Sequence, residues 1–137
     1  MFQSNIIKSI PMEDQPGEIM RILIVDDSPL VRAILRSFLD EAGYEVYEAA
    51  NHEEAQILFM SYRPDLLIKD LYTEDWDPLE SIRYFKTLIP EVKIIICSTD
   101  SSKNMILESL KAGANDFLLK PLQKLSVLKM IDKLVAS

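Results

Sequence analysis

With 137 residues, 48% of them hydrophobic, the chain is long enough to form one domain around a buried core. Its net charge of −7, from 22 acidic and 15 basic residues, leaves no basic stripe to neutralise nucleic-acid phosphates. The single cysteine, Cys97, excludes an internal disulfide, and no apolar run reaches membrane-spanning length or follows a basic start, so a cytoplasmic protein with no membrane partner is expected.

Residues 1–19 differ from the rest and read as an N-terminal extension. Phe2, Ile6, Ile7 and Ile10 fall at helical spacing, and Met12–Gly17, with Glu13, Asp14 and Pro16, is linker-like. From residue 20 to 137 strand and helix signals alternate about five times, the spacing of βα units. Arg21–Val25 is a continuous apolar run, as in a strand covered on both faces. Ser28 caps a first helix with Pro29 at its first position, and Leu30, Ile34, Leu35, Phe38 and Ala42 are its expected inward stripe before Gly43 ends it.

A second strand is expected at Tyr44–Glu48. A helix capped by Asn51 follows, with Ala55, Leu58 and Phe59 inward, and runs to Tyr62, where Arg63-Pro64 stops it. The third strand, Asp65–Asp70, leads through the polar loop Tyr72–Asp77 to a helix at Pro78–Leu88. Strand four is Lys93–Cys97 and helix four Ser102–Ala112. Strand five is Asp116–Leu119 and helix five about Leu122–Val135. In helix five Leu125, Leu128, Ile131 and Leu134 are expected to face inward, leaving Val127 and Met130 as a candidate partner surface.

The chemistry collects at strand ends. Asp26-Asp27, Asp70, Ser98 and Lys120-Pro121 each lie at or just past the C-terminal end of a strand, where open parallel sheets form their binding crevice. Alone, the pair Asp26-Asp27 reads as a turn with a helix cap; the third acid, Asp70, changes that reading. Three carboxylates close together repel one another, and a hard cation such as Mg²⁺ with phosphate oxygens relieves the repulsion. Lys120 adds a point charge, Ser98 a hydroxyl donor, and the X-Pro bond before Pro121 is a candidate for the cis form. Lys69 is anomalous in an apolar strand and is expected to reach an acid or water at the strand end. His52 is expected to be solvent-exposed, and Trp76 to serve as a loop anchor or partner contact.

On the stretches Ile22–Pro29, Asp65–Leu71, Ser98 and Gly113–Pro121, residues 20–135 resemble the receiver domain of two-component response regulators, in particular the stand-alone chemotaxis-regulator type. The resemblance implies an α/β, flavodoxin-like (βα)5 three-layer sandwich with parallel strand order 2-1-3-4-5. It implies that Asp70 takes a phosphoryl group from a sensor histidine kinase or phosphotransfer protein, in a signalling domain that catalyses only its own phosphorylation and dephosphorylation. Mg²⁺ would be held by Asp27 directly, by Asp26 largely through water, by Asp70, and by the backbone carbonyl of Tyr72. Lys120 would pair with the phosphoryl oxygens, Ser98 would swing toward them, and Phe117 falls at the family's aromatic switch position. The readout would be the face of helix four, strand five and helix five, presented to a downstream effector, an onward phosphorelay partner or a second copy.

The chain departs from the family pattern at Glu74, Pro78 and Thr99, and bulky Tyr72 stands two residues after Asp70, where it would shield an acyl phosphate and lengthen its life. Three rival readings fit less well. An Asp-nucleophile hydrolase of the haloacid-dehalogenase type would want an acid where Tyr72 stands. A flavodoxin-like electron carrier would want a Ser/Thr/Gly-rich loop where Asp26-Asp27 would repel a flavin phosphate. An interaction module without phosphorylation would not need the complete set Asp27, Asp70, Ser98 and Lys120.

Overall fold

The computed structural model describes residues 19–74 and 76–136; the tail stripe Phe2–Ile10 and Asp75 lie outside them. Five strands alternate with five helices: β1 Arg21–Val25, α1 Pro29–Glu41, β2 Glu45–Ala49, α2 His52–Tyr62, β3 Leu66–Asp70, α3 Pro78–Leu88, β4 Lys93–Ser98, α4 Lys103–Ala112, β5 Asp116–Leu119 and α5 Lys124–Val135. All pairings are parallel, in the order β2-β1-β3-β4-β5. This is the flavodoxin-like α/β fold. None of the described helices is long and apolar enough to cross a membrane.

Alternation along the central strands builds two cores. Leu23, Val25, Leu67, Leu71, Ile94 and Ile96 pack against Ala55 and Phe59 of α2 and Ile82 and Phe85 of α3. The intervening Ile22, Ile24, Leu66, Ile68, Ile95 and Cys97 pack against Leu35 and Leu39 of α1 and Val127 and Ile131 of α5. Helices thus cover both faces, which is why the strands read as unbroken apolar runs.

Local signals hold where they are backbone chemistry. The side chains of Ser28, Asn51, Asp77 and Ser102 each accept a hydrogen bond from the amide three residues on, at 3.2, 2.9, 2.9 and 3.2 Å. Gly113 ends α4 at φ +126°, and a Cβ there would also press against the Lys86 side chain at 3.2 Å.

Helix faces are where expectation and structure part. In α1 the buried residues are Leu35 and Leu39, whereas Leu30 and Ile34 are exposed, as is Ala42. In α5 the core residue is Val127, wholly buried with Ile131, and Leu125 points to solvent at 65% exposure. The rest of each stripe holds: Leu35, Ile131 and Leu134 are buried as expected, and Phe38 and Leu128 pack against the same core. Met130, expected as partner surface, is also partly buried there, because each helix carries more apolar residues than its stripe alone accounts for. Helix α5 also starts later than Leu122, since Gln123 is extended (φ −112°, ψ 136°) and forms the cap. Strand β2 begins at Glu45, because the Tyr44 amide closes the end of α1 on the Leu39 carbonyl at 3.1 Å. Asp65 precedes β3, and β4 runs one residue further than expected, to Ser98.

Candidate functional site

Four strand ends converge on one crevice. Asp26, just past β1, is 2% exposed and fixed from two sides: its Oδ1 accepts from the Ser28 amide at 2.9 Å, and its carbonyl accepts from Arg32 Nη1 at 2.6 Å. Asp27 beside it is exposed, and Asp70 ends β3 half-buried. A carboxylate oxygen from each of the three can be chosen so that all lie within 4.8 Å of one another. That spread matches ligands around one small hard cation, whose oxygens sit at about 2.0–2.1 Å from magnesium.

Lys120 enters from the far strand. Its amide donates to the Ser98 carbonyl at 2.8 Å, locking the end of β5 to β4, and the bond to Pro121 is cis. Its Nζ lies 2.8 Å from Asp26 Oδ2 and 3.4 Å from Asp70 Oδ1. Burial pushes the Asp70 carboxyl above the usual carboxylate range, Asp26 repels its charge further, and Lys120 opposes both. Burial acts to lower the Lys120 ammonium, yet its hydrogen bond to Asp26 and the charges of Asp70 and Asp26 hold it above its ordinary value. The cluster is therefore one coupled unit with surplus negative charge.

The remaining expected residues stand around this unit. Ser98 is 2% exposed, and its Oγ accepts from the Asp100 amide at 3.0 Å. Tyr72 is 47% exposed and donates its hydroxyl to Asp100 Oδ2 at 2.7 Å, joining the loops after β3 and β4; Thr99 is exposed. Phe117 is half-buried on β5 against the core beneath α2 and α3. Glu74 joins Asp27, Asn51, His52, Glu53 and Glu54 around an open cleft of about 600 Å³ beside the acids.

Two expectations change. His52 is not a solvent-exposed residue: its ring is partly buried against Trp76, with centroids 3.3 Å apart. Trp76 in turn packs on Tyr84 and Phe85, both at 5.2 Å, and is the anchor of its loop. Lys69 does not end on an acid. It is wholly buried, and its Nζ donates to the Asp70 carbonyl at 2.9 Å and the Thr73 hydroxyl at 3.4 Å. Burial lowers its pKa to about 8, against the opposing pull of Asp70 and Asp26. Sequence reading did not single out Asp100, which also accepts from the Ser102 amide at 2.9 Å. Its position before a helix cap was the available signal.

The profile of the response regulator receiver domain matches residues 22–132. The chemotaxis protein CheY of Thermotoga maritima is 36% identical over 114 residues, covering 82% of this chain and 95% of that protein. Among solved structures, chemotaxis protein CheY4 of Vibrio cholerae superposes with a TM-score of 0.80 at 27% identity, covering 85% of this chain and 99% of that one. A response regulator from Burkholderia pseudomallei, solved with a phosphorylated aspartic acid, calcium ion and citrate, gives a TM-score of 0.74 at 27% identity over 80% of this chain and 64% of that one. The three-acid cluster is typical of the phosphoacceptor site of such domains. Because the matched stretch runs from the first strand into the last helix and encloses every strand-end residue of the crevice, the chain belongs to the response regulator receiver domain family.

Proposed function

We propose that Asp70 is the phosphoacceptor of this receiver, charged by a sensor histidine kinase or a phosphotransfer protein with Mg²⁺ bound among Asp26, Asp27, Asp70 and the Tyr72 carbonyl. Receiver domains are signalling phosphoacceptors rather than true enzymes, and a receiver implies a histidine kinase partner. The observation that carries the proposal is the placing of Lys120 Nζ between Asp26 and Asp70 while three carboxylate oxygens share one 4.8 Å cluster.

An Asp70 oxygen forms the new bond to phosphorus as the bond from phosphorus to the donor histidine nitrogen breaks, and the electron pair leaves with the imidazole. Little other covalent work is needed, so positioning and charge neutralisation supply most of the rate. Bound Mg²⁺ would neutralise the phosphoryl oxygens and orient them. Lys120, already 3.4 Å from Asp70, would follow the new negative charge. Ser98 would exchange its Asp100 partner for a phosphoryl oxygen, and the Phe117 ring would move into the space released. The readout face is α4, β5 and α5, where Leu107, Leu119 and Leu125 are at least 48% exposed and ready to meet an effector, a relay partner or a second copy.

The test is intact mass after incubation with acetyl phosphate and Mg²⁺, beside Asp70→Asn and a metal-free sample. One phosphoryl adduct that needs both Asp70 and the metal is the expected result. An adduct that survives Asp70→Asn, or none on folded protein with bound Mg²⁺, would overturn the proposal.

A further inference from the structure

Lys69 is the sole buried cation among the described residues, and it meets the acid cluster through the Asp70 backbone carbonyl, with no carboxylate in ion-pair contact. It occupies the middle of the sheet, paired in register with Val25 and Ile96, on the same strand face as Leu67 and Leu71. An apolar side chain of similar length would fill this space without the cost of desolvating an ammonium, so packing alone gives no reason for lysine here. What an ammonium does that methionine cannot is donate. Its two acceptors are the carbonyl of Asp70 and the hydroxyl of Thr73, which is itself 7% exposed. These two points bracket Leu71 and Tyr72. From the other side, the Leu71 amide is held by the Cys97 carbonyl at 2.9 Å.

We propose that Lys69 is a positioning residue: from within β3 it clamps the β3–α3 loop at Asp70 and Thr73, and so fixes the Tyr72 peptide between them, whose carbonyl the proposed function assigns to the metal. The inference rests on the reading of Asp70 and the Tyr72 carbonyl as metal ligands. A partner that holds a ligand's own backbone acts on metal affinity through orientation, and losing such a partner commonly weakens binding about tenfold or more.

Three readouts on Lys69→Met, Thr73→Val and the double variant test it: amide hydrogen exchange in metal-free protein, Mg²⁺ affinity by Trp76 fluorescence, and melting temperature. Lys69→Met should speed exchange at the Leu71 amide, which the Cys97 carbonyl holds at the start of the loop, about tenfold and weaken Mg²⁺ binding about tenfold, with melting unchanged or raised. Thr73→Val should move exchange and affinity in the same direction, and the double variant should be no worse than Lys69→Met, since both remove one clamp. Thr73→Val decides the matter should Lys69→Met not fold. Unchanged loop exchange would overturn the clamp. So would tighter Mg²⁺ binding in Lys69→Met with no effect of Thr73→Val, because that outcome assigns Lys69 a role of charge alone. Lower melting with unaltered affinity would reduce it to a packing residue. Should wild-type protein bind no Mg²⁺, the metal-site reading fails while loop exchange still decides the clamp.

Discussion

Nζ of Lys120 lies 2.8 Å from Oδ2 of Asp26, a pair separated by 94 residues and joined only because β1 and β5 end on the same edge of one parallel sheet. The Asp26 side chain is 3% exposed and the Lys120 side chain 16%, so each is the other's main compensation for lost water. Lys120→Met should lower metal-free stability by about 2–3 kcal/mol in urea unfolding, with added Mg²⁺ restoring part of it. Asp70→Asn should act in the opposite sense. By removing one of three mutually repelling charges it should raise metal-free stability by about 1 kcal/mol, a gain that saturating Mg²⁺ erases.

Tyr72 and Asp100 bridge the loops after β3 and β4 through a 2.7 Å hydrogen bond, which fixes a bulky ring two residues after Asp70, where we propose that it screens a phosphoryl group from water. The phosphorylated state should therefore be long-lived. Tyr72→Ala should shorten it several-fold and Asp100→Ala less, followed as decay of the phosphoryl mass after the donor is removed. Equal lifetimes in all three proteins would remove the screening role.

The buried face of α5 gives a contrast between neighbours. Val127→Ala should cost about 2 kcal/mol, because the side chain is wholly buried in the core formed by one sheet face, α1 and α5. Leu125→Ala should stay within about 0.5 kcal/mol of wild type despite removing more carbon. The reverse order in chemical denaturation would contradict the burial of Val127 and the exposure of Leu125.

Cys97 supplies the pH dependence. Burial pushes its thiol up to about 12 from 9.0, with Lys120 opposing. Its folded pKa thus exceeds the unfolded one, so the unfolded chain loses the proton first as pH rises. Stability from this group is complete below about pH 9 and is lost between about 9 and 12. Compared with Cys97→Val, wild type should lose about 2 kcal/mol between pH 8 and 10.5. The native thiol should also resist alkylation at pH 8 and react only on unfolding.

Much of this molecule was legible one residue at a time. Short, largely apolar runs marked the central strands, Ser28, Asn51 and Ser102 set helix starts, and acids at two strand ends with a lysine at a third marked the crevice. These signals survive because they depend on backbone geometry and on where a parallel sheet ends, both fixed within a few residues. Sequence periodicity found Leu35, Ile131 and Leu134, but since each helix carries more apolar surface than one face uses, only the tertiary structure put Leu39 and Val127 inward and Leu30, Ile34 and Leu125 outward. It alone seated His52 under Trp76 and sent Lys69 to a carbonyl and a hydroxyl instead of an acid. A side chain's partners lie across the fold, at distances the sequence does not contain, whereas the order of strand and helix is written along the chain itself.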